Sequence, residues 1–505
     1  MANPPNFLLK STSSKVILGR LKRESEARWQ AAGERMALEL FHDMAARVPA
    51  YTDFLKAHDV APARIKTAAD LVRVPTINKD NYLRAYPLEQ LCWDGNLAHA
   101  DWTISSTSGS TGKPFYFPRR AAQDDQYARL AELYLLAQFQ IDKRSTLYID
   151  AFAMGTWIGG VFTYSAVRRV AERGYHLAVS TPGINVAEVL NQVRELGPHF
   201  DQVIIGCYPP ILKDIIDEGE RAGLDWGRYH LGIVFSAEGF NERFRDYIVE
   251  HAKLPHPLLS TLNHYGTVDL GTMAHETPVA ALIRRLALGN DRLYGRIFGQ
   301  PHKLPTLAQF IPELFYFEAQ DGRVICSANS GLPLVRYDLK DNGAVHSFET
   351  IRGYFAEAGI DLAAEAKAQG IADTIWNLPF VQVYERADFT VGFRGAEIYP
   401  ETIRKALSHQ DLDHAVSGKF TIISDYNDEV TPTLTIHVEL KPDAKHSSAL
   451  EKRTLGLILD QLLSENTEFK VLYDSAPDKT RPVLRFWNYE HPTHFGKKGK
   501  QKWVK

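Results

Sequence analysis

Residues 145–152 read STLYIDAF, a short apolar run. The same texture returns as YHLAVS at 175–180, QVIIGCY at 202–208 and LGIVFSAE at 231–238. Between these runs lie TYSAVRRVAERG, VAEVLNQVREL and PPILKDIIDEGERAG, and FNERFRDYIVEHA follows the last. Each places apolar residues at three- and four-residue steps. Strands alternating with helices of 10–15 residues predict parallel βαβ units. Ligands on such sheets sit outside the carboxyl ends of the strands. The segments leaving those ends, Phe152–Gly160, Gly206–Pro209, Ser236–Phe240 and Asn263–Asp269, are therefore the structural candidates for a site.

Outward from this block the texture changes. Residues 20–60 are rich in Ala, Leu, Glu and Arg and read as helical. The run AADLVRVPTINKDNYLRAYP reads as short helices broken by Pro75 and Pro87. LFYFEA, GRVICSA and PLVRYDL make residues 310–350 β-rich. Beyond about 385 come a strand–turn–strand, the helix PETIRKALSH, a hairpin around YNDE, the helix SALEKRTLGLILDQLLSE and a basic tail.

The chain has 505 residues, with 58 Lys and Arg against 61 Asp and Glu, a formal net charge of −3. Hydrophobic residues make up 45% and charged residues 24%, the composition of a globular protein. That balance gives no reason to expect nucleic-acid or membrane attraction. Cys92, Cys207 and Cys326 are far apart and odd in number, which argues against a disulfide framework. The N-terminal stretch lacks a signal-peptide core and no apolar run is long enough to span a bilayer, so a cytoplasmic protein is expected.

The strongest local signal is SSTSGSTGKP at 105–114. Small residues let backbone amides crowd around an anion, and hydroxyls and a lysine add donors. It is not a Walker A loop, because two residues rather than four separate Gly109 from Gly112. Ser110-x-x-Lys113 matches a short hydrolase pattern, but S-D-N and K-T-G are missing. By itself the run reads equally as a structural loop. His264 and His275 invite a metal reading, but their neighbours lack ligand spacing.

The loop resembles the Ser/Thr/Gly-rich phosphate loop of the adenylate-forming enzymes: acyl-CoA synthetases, adenylation domains and luciferases. Four later segments resemble that superfamily in its order. Ser236, Ala237 and Glu238 resemble the segment beside adenine and acyl group. His264, Tyr265, Gly266, Thr267, Val268 and Asp269 resemble the aromatic-Gly-x-Thr-Glu motif, whose tyrosine stacks on adenine and whose acid helps hold magnesium. Val268 replaces the usual hydroxyl and Asp269 the usual Glu. Residues 332–341 resemble the run whose final Asp, here Asp341, binds the ribose. Residues 384–400 resemble the hinge motif through Arg386, Asp388 and Gly395, with Glu385 in place of the first Gly. Residues 46–84, 273–277 and 394–407 further resemble the phenylacetate–CoA ligase branch.

The resemblance implies ATP-dependent activation of an aryl or medium acyl acid to acyl-AMP, then transfer to a thiol. CoA is the first expected acceptor. A carrier protein, amine or hydroxyl is the alternative, and an inactive relative acting as a binding module the second. It implies ATP and Mg2+ as cofactors, and a homodimer as an oligomeric form. Ser108, Gly109, Ser110, Thr111 and Gly112 with Lys113 are expected on the β- and γ-phosphates, Asp269 on the metal, and Arg386 assisting. Lys500, or its rival Lys497, is expected to reach the α-phosphate from the tail. The implied fold is a large N-terminal domain, 1–385, of α/β subdomains plus a β-rich part. A small mobile α+β domain, 386–505, follows and pivots at Asp388. Phe152, Met154, Trp157, Tyr208 and Phe240 lie in or beside the strand-end loops and are read as candidates for an apolar acyl pocket or as ordinary core.

Overall fold

The computed structural model describes residues 13–98, 101–107, 114–299, 305–386, 391–412, 414–427 and 429–495. Its centre is one sheet of 11 strands. In chain order the strands are β1 (Thr103–Ser106), β2 (Tyr116–Arg119), β3 (Thr146–Asp150), β4 (Leu177–Ser180), β5 (Gln202–Cys207), β6 (Leu231–Phe235), β7 (Thr261–Thr267), β8 (Gly271–His275) and β9 (Thr306–Gln309). There follow β10 (Tyr316–Gln320), β11 (Arg323–Ser330), β12 (Leu332–His346), β13 (Phe380–Arg386), β14 (Val391–Phe393), β15 (Ala396–Ile398), β16 (Val416–Tyr426), β17 (Pro432–Leu440) and β18 (Val483–Trp487). The large sheet runs β10-β11-β12-β13-β9-β8-β7-β6-β5-β3-β4, while β1 and β2 form a separate hairpin.

The sheet has two halves. From β4 to β7 the pairs are parallel; from β7 to β10 they are antiparallel. Every residue of β3, β5 and β6 is buried, as parallel strands covered on both faces require. The covering helices are those read from sequence: Ile158–Ala171, Val186–Leu196, Pro209–Arg221 and Glu242–His251. Asn185 and Asn241 cap two of them by accepting the backbone N–H three residues on, at 3.1 and 2.9 Å. From β3 the chain crosses to β4 on one side, then returns to β5 on the other. The strand order thus reverses at β3, and a crevice opens between the ends of β3 and β5.

The N-terminal helices Ser14–Arg23, Glu26–Arg47 and Pro49–Ala57 pack in one core with the antiparallel half: Ile17, Leu21, Trp29 and Phe41 join Phe310, Phe317 and Leu334. Arg336 fixes the chain between them and the site. Its buried guanidinium donates to the carbonyls of Leu71, Val72 and Val74 at 3.1, 3.1 and 2.6 Å. Ile77 then bridges to Tyr337, which delivers Lys79 to the strand ends.

After residue 390 the chain forms the β14–β15 ribbon and a three-stranded sheet, β16-β17-β18. Helices Pro400–Leu407, Ser448–Glu465 and Thr467–Ser475 accompany them. This region is docked on helix Pro209–Arg221. Arg394, 1% exposed, pairs with Asp214. Lys479 lies 2.8 Å from Asp214 and 2.7 Å from Glu218. Among the described residues no helix is long and apolar enough to cross a membrane.

Candidate functional site

A cavity of about 190 Å3 opens where the strand order reverses. Phe152 reaches it from the end of β3, Tyr208 from β5, Ser236 and Ala237 from β6, and Gly266 and Thr267 from β7. Ala237 holds a left-handed φ of 73°, a conformation costly for a residue with a Cβ and concentrated at functional sites. Of the four segments expected from sequence, Phe152–Gly160 and Ser236–Phe240 leave their strands as loops, whereas Gly206 and Cys207 still belong to β5 and only Tyr208 separates it from helix Pro209–Arg221. The fourth differs: Asn263–Thr267 is itself β7, because it pairs with β8, and only Val268 and Asp269 form the turn.

Asp269 is the acid of the wall, 4% exposed. Its Oδ2 accepts the Tyr337 hydroxyl at 2.5 Å, and Lys79 Nζ stands 3.2 Å from Oδ1. Among the described residues Oδ1 accepts no hydrogen bond of good geometry. A buried, incompletely satisfied carboxylate oxygen fits a hard cation that keeps water and phosphate as its other ligands, as Mg2+ does. Among the described residues no three His, Cys, Asp or Glu gather into a fuller metal cage.

Asp341, 6% exposed, accepts the Tyr265 hydroxyl at 2.5 Å, and its backbone pairs with Arg386 between β12 and β13. Tyr265 is buried against Phe317, with ring centroids 6.2 Å apart, and does not line the cavity. In this arrangement it orients Asp341. His264 also lies off the cavity wall. Its ring sits 5.0 Å from Tyr134 in the core, where burial and then His275 push its pKa down to about 3. It is held neutral there.

The far wall comes from the C-terminal region: Gly395, Glu397, Tyr399 and Glu468. Gly395 has φ +94°, and a Cβ there would meet the Tyr208 ring at 3.0–3.2 Å, so only glycine lets this segment approach. Its N–H donates to Glu238. Burial pushes the Glu238 carboxyl up to about 7, against the opposing pull of Gly395 N–H and Arg394. Glu468 is pushed up to about 8 by burial and by Glu397, which itself accepts the Tyr399 hydroxyl at 2.8 Å. Two carboxyls at this seam are thus poised near neutrality.

Phe152, Trp157 and Tyr208 line the cavity as expected, with Phe152 and Tyr208 edge to face at 5.1 Å. Met154 and Phe240 do not. Phe240 packs on Phe235 and Phe244 with Arg245 and Arg284 beside its ring, because its strand-end loop turns it back into the core. Ser108, Gly109, Ser110, Thr111, Gly112, Lys113, Asp388, Lys497 and Lys500 lie outside the described residues, as does the side chain of Arg386. The loop's two ends are placed: Phe115 N–H donates to Thr107 Oγ1 at 3.0 Å, and Ser106 Oγ to Thr156 Oγ1 at 2.9 Å, with Ser106 and Thr107 on the cavity.

Sequence reasoning gave no role to Lys79, Tyr127, Glu397, Tyr399 or Glu468. Glu397 and Tyr399 follow Gly395 directly, and a strand reading would have put both on one face. Lys79 and Glu468 carry no local signal. They are brought in by the Arg336 anchor and by helix docking.

No protein-family model matches the chain, and no curated protein sequence matches it. Solved structures do. The 2-hydroxyisobutyryl-CoA ligase with 2-HIB-AMP and CoA, in the thioesterification state, is 14% identical. The match covers all of this chain and 95% of that one, with TM-score 0.66. The same ligase in the postadenylation state with 2-HIB-AMP is 13% identical, with 100% and 95% covered and TM-score 0.55. Its open conformation with 2-HIB-AMP and CoA is 13% identical, with 100% and 97% covered and TM-score 0.55. The chain has the fold of the adenylate-forming enzymes.

Proposed function

We propose that the protein activates a carboxylic acid with ATP to an acyl-AMP, releasing pyrophosphate, and then passes the acyl group to the thiol of CoA. The observation that carries this reading is the cavity itself. It joins an incompletely satisfied buried acid, Asp269, to an aromatic chamber, and the C-terminal region closes it. Both reactants of the first step are anionic, so catalysis is charge neutralisation and alignment. Asp269 would hold Mg2+, which when bound neutralises phosphate charge; Asp341, fixed by Tyr265, accepts from the ribose hydroxyls. Ser108–Lys113 and Arg386 are assigned to the phosphates, and Lys500 to the α-phosphate and acyl carboxylate.

Two parts follow from this assignment: 1–385, and a small mobile part, 386–505, pivoting at Asp388. The arrangement seen here superposes better on the 2-hydroxyisobutyryl-CoA ligase in its thioesterification state than in its postadenylation state, and CoA is the acceptor we favour. The phenylacetate–CoA ligase branch is the subgroup we favour, since an aryl acid suits walls of Phe152, Trp157, Phe162 and Tyr208. We place the enzyme in the cytoplasm. The test is mass spectrometry of products from ATP, Mg2+ and a panel of aryl and aliphatic acids, with and without CoA. Acid-dependent AMP with an acyl-CoA mass is expected. Acyl-AMP without acyl-CoA would move the acceptor to a carrier thiol or an amine, and no AMP with any acid would overturn the reading.

A further inference from the structure

Behind the main cavity lies a second, much smaller chamber of about 10 Å3, room for one oxygen-sized group. The two share Tyr127, Ile158, Phe162, Val268, Gly271 and Thr272 as lining residues, so the chamber is an annex of the same pocket. The rings of Tyr127 and Phe162 stack at 4.3 Å between them. An acyl tail entering past Phe152 meets this ring pair.

The annex is built from polar groups that lack full partners. Arg119, 4% exposed, lies with its guanidinium 4.6 Å over the Phe162 ring. Its Nη1 donates to Ser105 Oγ at 2.6 Å and its Nε to Asp124 at 3.2 Å. Its Nη2 has no partner among the described residues. Ser330, at the end of β11, also lines the annex, and its buried Oγ is likewise unpartnered. Buried donors left unmatched are rare and costly, and two at one small chamber point to a ligand atom.

The charge balance selects the atom. Asp124 already neutralises Arg119, and Arg169 is balanced by Asp125 at 2.6 Å. A second carboxylate here would be an uncompensated buried charge. A neutral oxygen meets both needs: it accepts from Arg119 Nη2, and a hydroxyl also donates to Ser330 Oγ. Val268, which stands where the superfamily motif has a hydroxyl residue, presents a hydrocarbon wall to both chambers.

We propose that the acid this protein activates carries a neutral hydroxyl or keto oxygen at the end remote from its carboxylate, and that Arg119 and Ser330 bind that oxygen behind the Tyr127–Phe162 ring pair. This rests on the acid-activation reading above. The test is acid-dependent pyrophosphate release with matched probes: phenylacetate against 3- and 4-hydroxyphenylacetate, and hexanoate against 6-hydroxyhexanoate, 5-oxohexanoate and adipate. At least one oxygenated probe in a set should exceed its parent by about tenfold or more in kcat/KM, because a site built to hydrogen-bond an oxygen rejects the analogue lacking it. Ser330→Ala and Arg119→Lys should each narrow that ratio. If Arg119→Lys fails to fold, Ser330→Ala alone decides. Parent acids reacting as well as every oxygenated probe would overturn the proposal and leave the activation reading intact. Adipate outrunning the neutral probes would overturn the assignment of a neutral group. Release with no acid would overturn the activation reading and the proposal together.

Discussion

The two sides of the cavity hold their carboxylates in different ways. On the sheet side, Asp269 and Asp341 are each fixed by a tyrosine hydroxyl at 2.5 Å, from Tyr337 and Tyr265, and Lys79 stands beside Asp269. All five residues belong to the part before residue 387, so this constellation, of which Lys79 and Asp269 line the cavity, does not draw on the C-terminal region. At the seam, Glu238 and Glu468 are pushed up to about 7 and about 8, with burial the first cause. There Gly395 lies against the Tyr208 ring, and Glu397 and Glu468 line the cavity opposite Tyr208 and Ser236. One side is a preset acid constellation. The other includes groups from the C-terminal region, so on the proposed mobility of that region it is sensitive to anything that alters closure.

The largest expected effect tests the preset side. Asp269→Asn keeps the shape and removes the charge, leaving Lys79 facing an amide. Acyl-AMP formation should fall by about 10²- to 10³-fold. Thioester formation from supplied acyl-AMP should fall much less. Rapid-quench measurement of the two half-reactions separates them, and equal losses would break the distinction between the two sides.

Gly395→Ala tests the seam. Its Cβ would press on the Tyr208 ring at 3.0 Å from a backbone φ of +94°. Strain of this kind costs on the order of 1–3 kcal/mol, so the closed arrangement should lose roughly 5- to 150-fold in population. The thioester step should carry that loss, with the first half-reaction nearly spared. Asp214→Ala sharpens the point: it strips both Arg394 and Lys479 of a partner and leaves a buried guanidinium uncompensated. The same half-reaction should suffer, and small-angle scattering should report a more extended particle.

pH dependence tests the seam a third way. In the arrangement seen here the Glu238 and Glu468 carboxyls lie above their ordinary 4.5, so on the proposed movement closing would take up protons. The closed arrangement is therefore favoured most below pH 4.5 and weakens as pH rises through about 7 and 8. Donor–acceptor labels on the two parts, without ligand, should show opening between pH 6 and pH 9, and Glu468→Gln should flatten the upper part of the curve. Closure that tightens with pH would contradict the sign.

Most of the framework was legible in the sequence because it rests on local periodicity. The βαβ alternation around residues 145–252, the β-rich stretch after 310 and the helix–hairpin–helix pattern after 390 are properties of short windows. The strand-end rule then found the cavity before its walls were known. What escaped was set by long-range packing. Lys79 reaches Asp269 because Arg336 ties residues 71–74 to β12 and Ile77 bridges to Tyr337. Glu468 enters from helix docking, and Phe240 leaves for the core. Tyr265 and His264 show the same limit in the motif reading: adjacent in sequence, they alternate across β7, one to orient Asp341 and the other into the Tyr134 and His275 ring cluster.

In the proposed function one cavity, at the reversal of strand order, receives the acyl-adenylate. A crystal structure with a non-hydrolysable acyl-sulfamoyl adenosine tests it most directly. Ribose hydroxyls on Asp341, the sulfamate facing Asp269 and its neighbours, and the acyl end against Tyr127 and Phe162 are expected. Binding elsewhere on the molecule, or no binding at saturating concentration by folded protein, would contradict it.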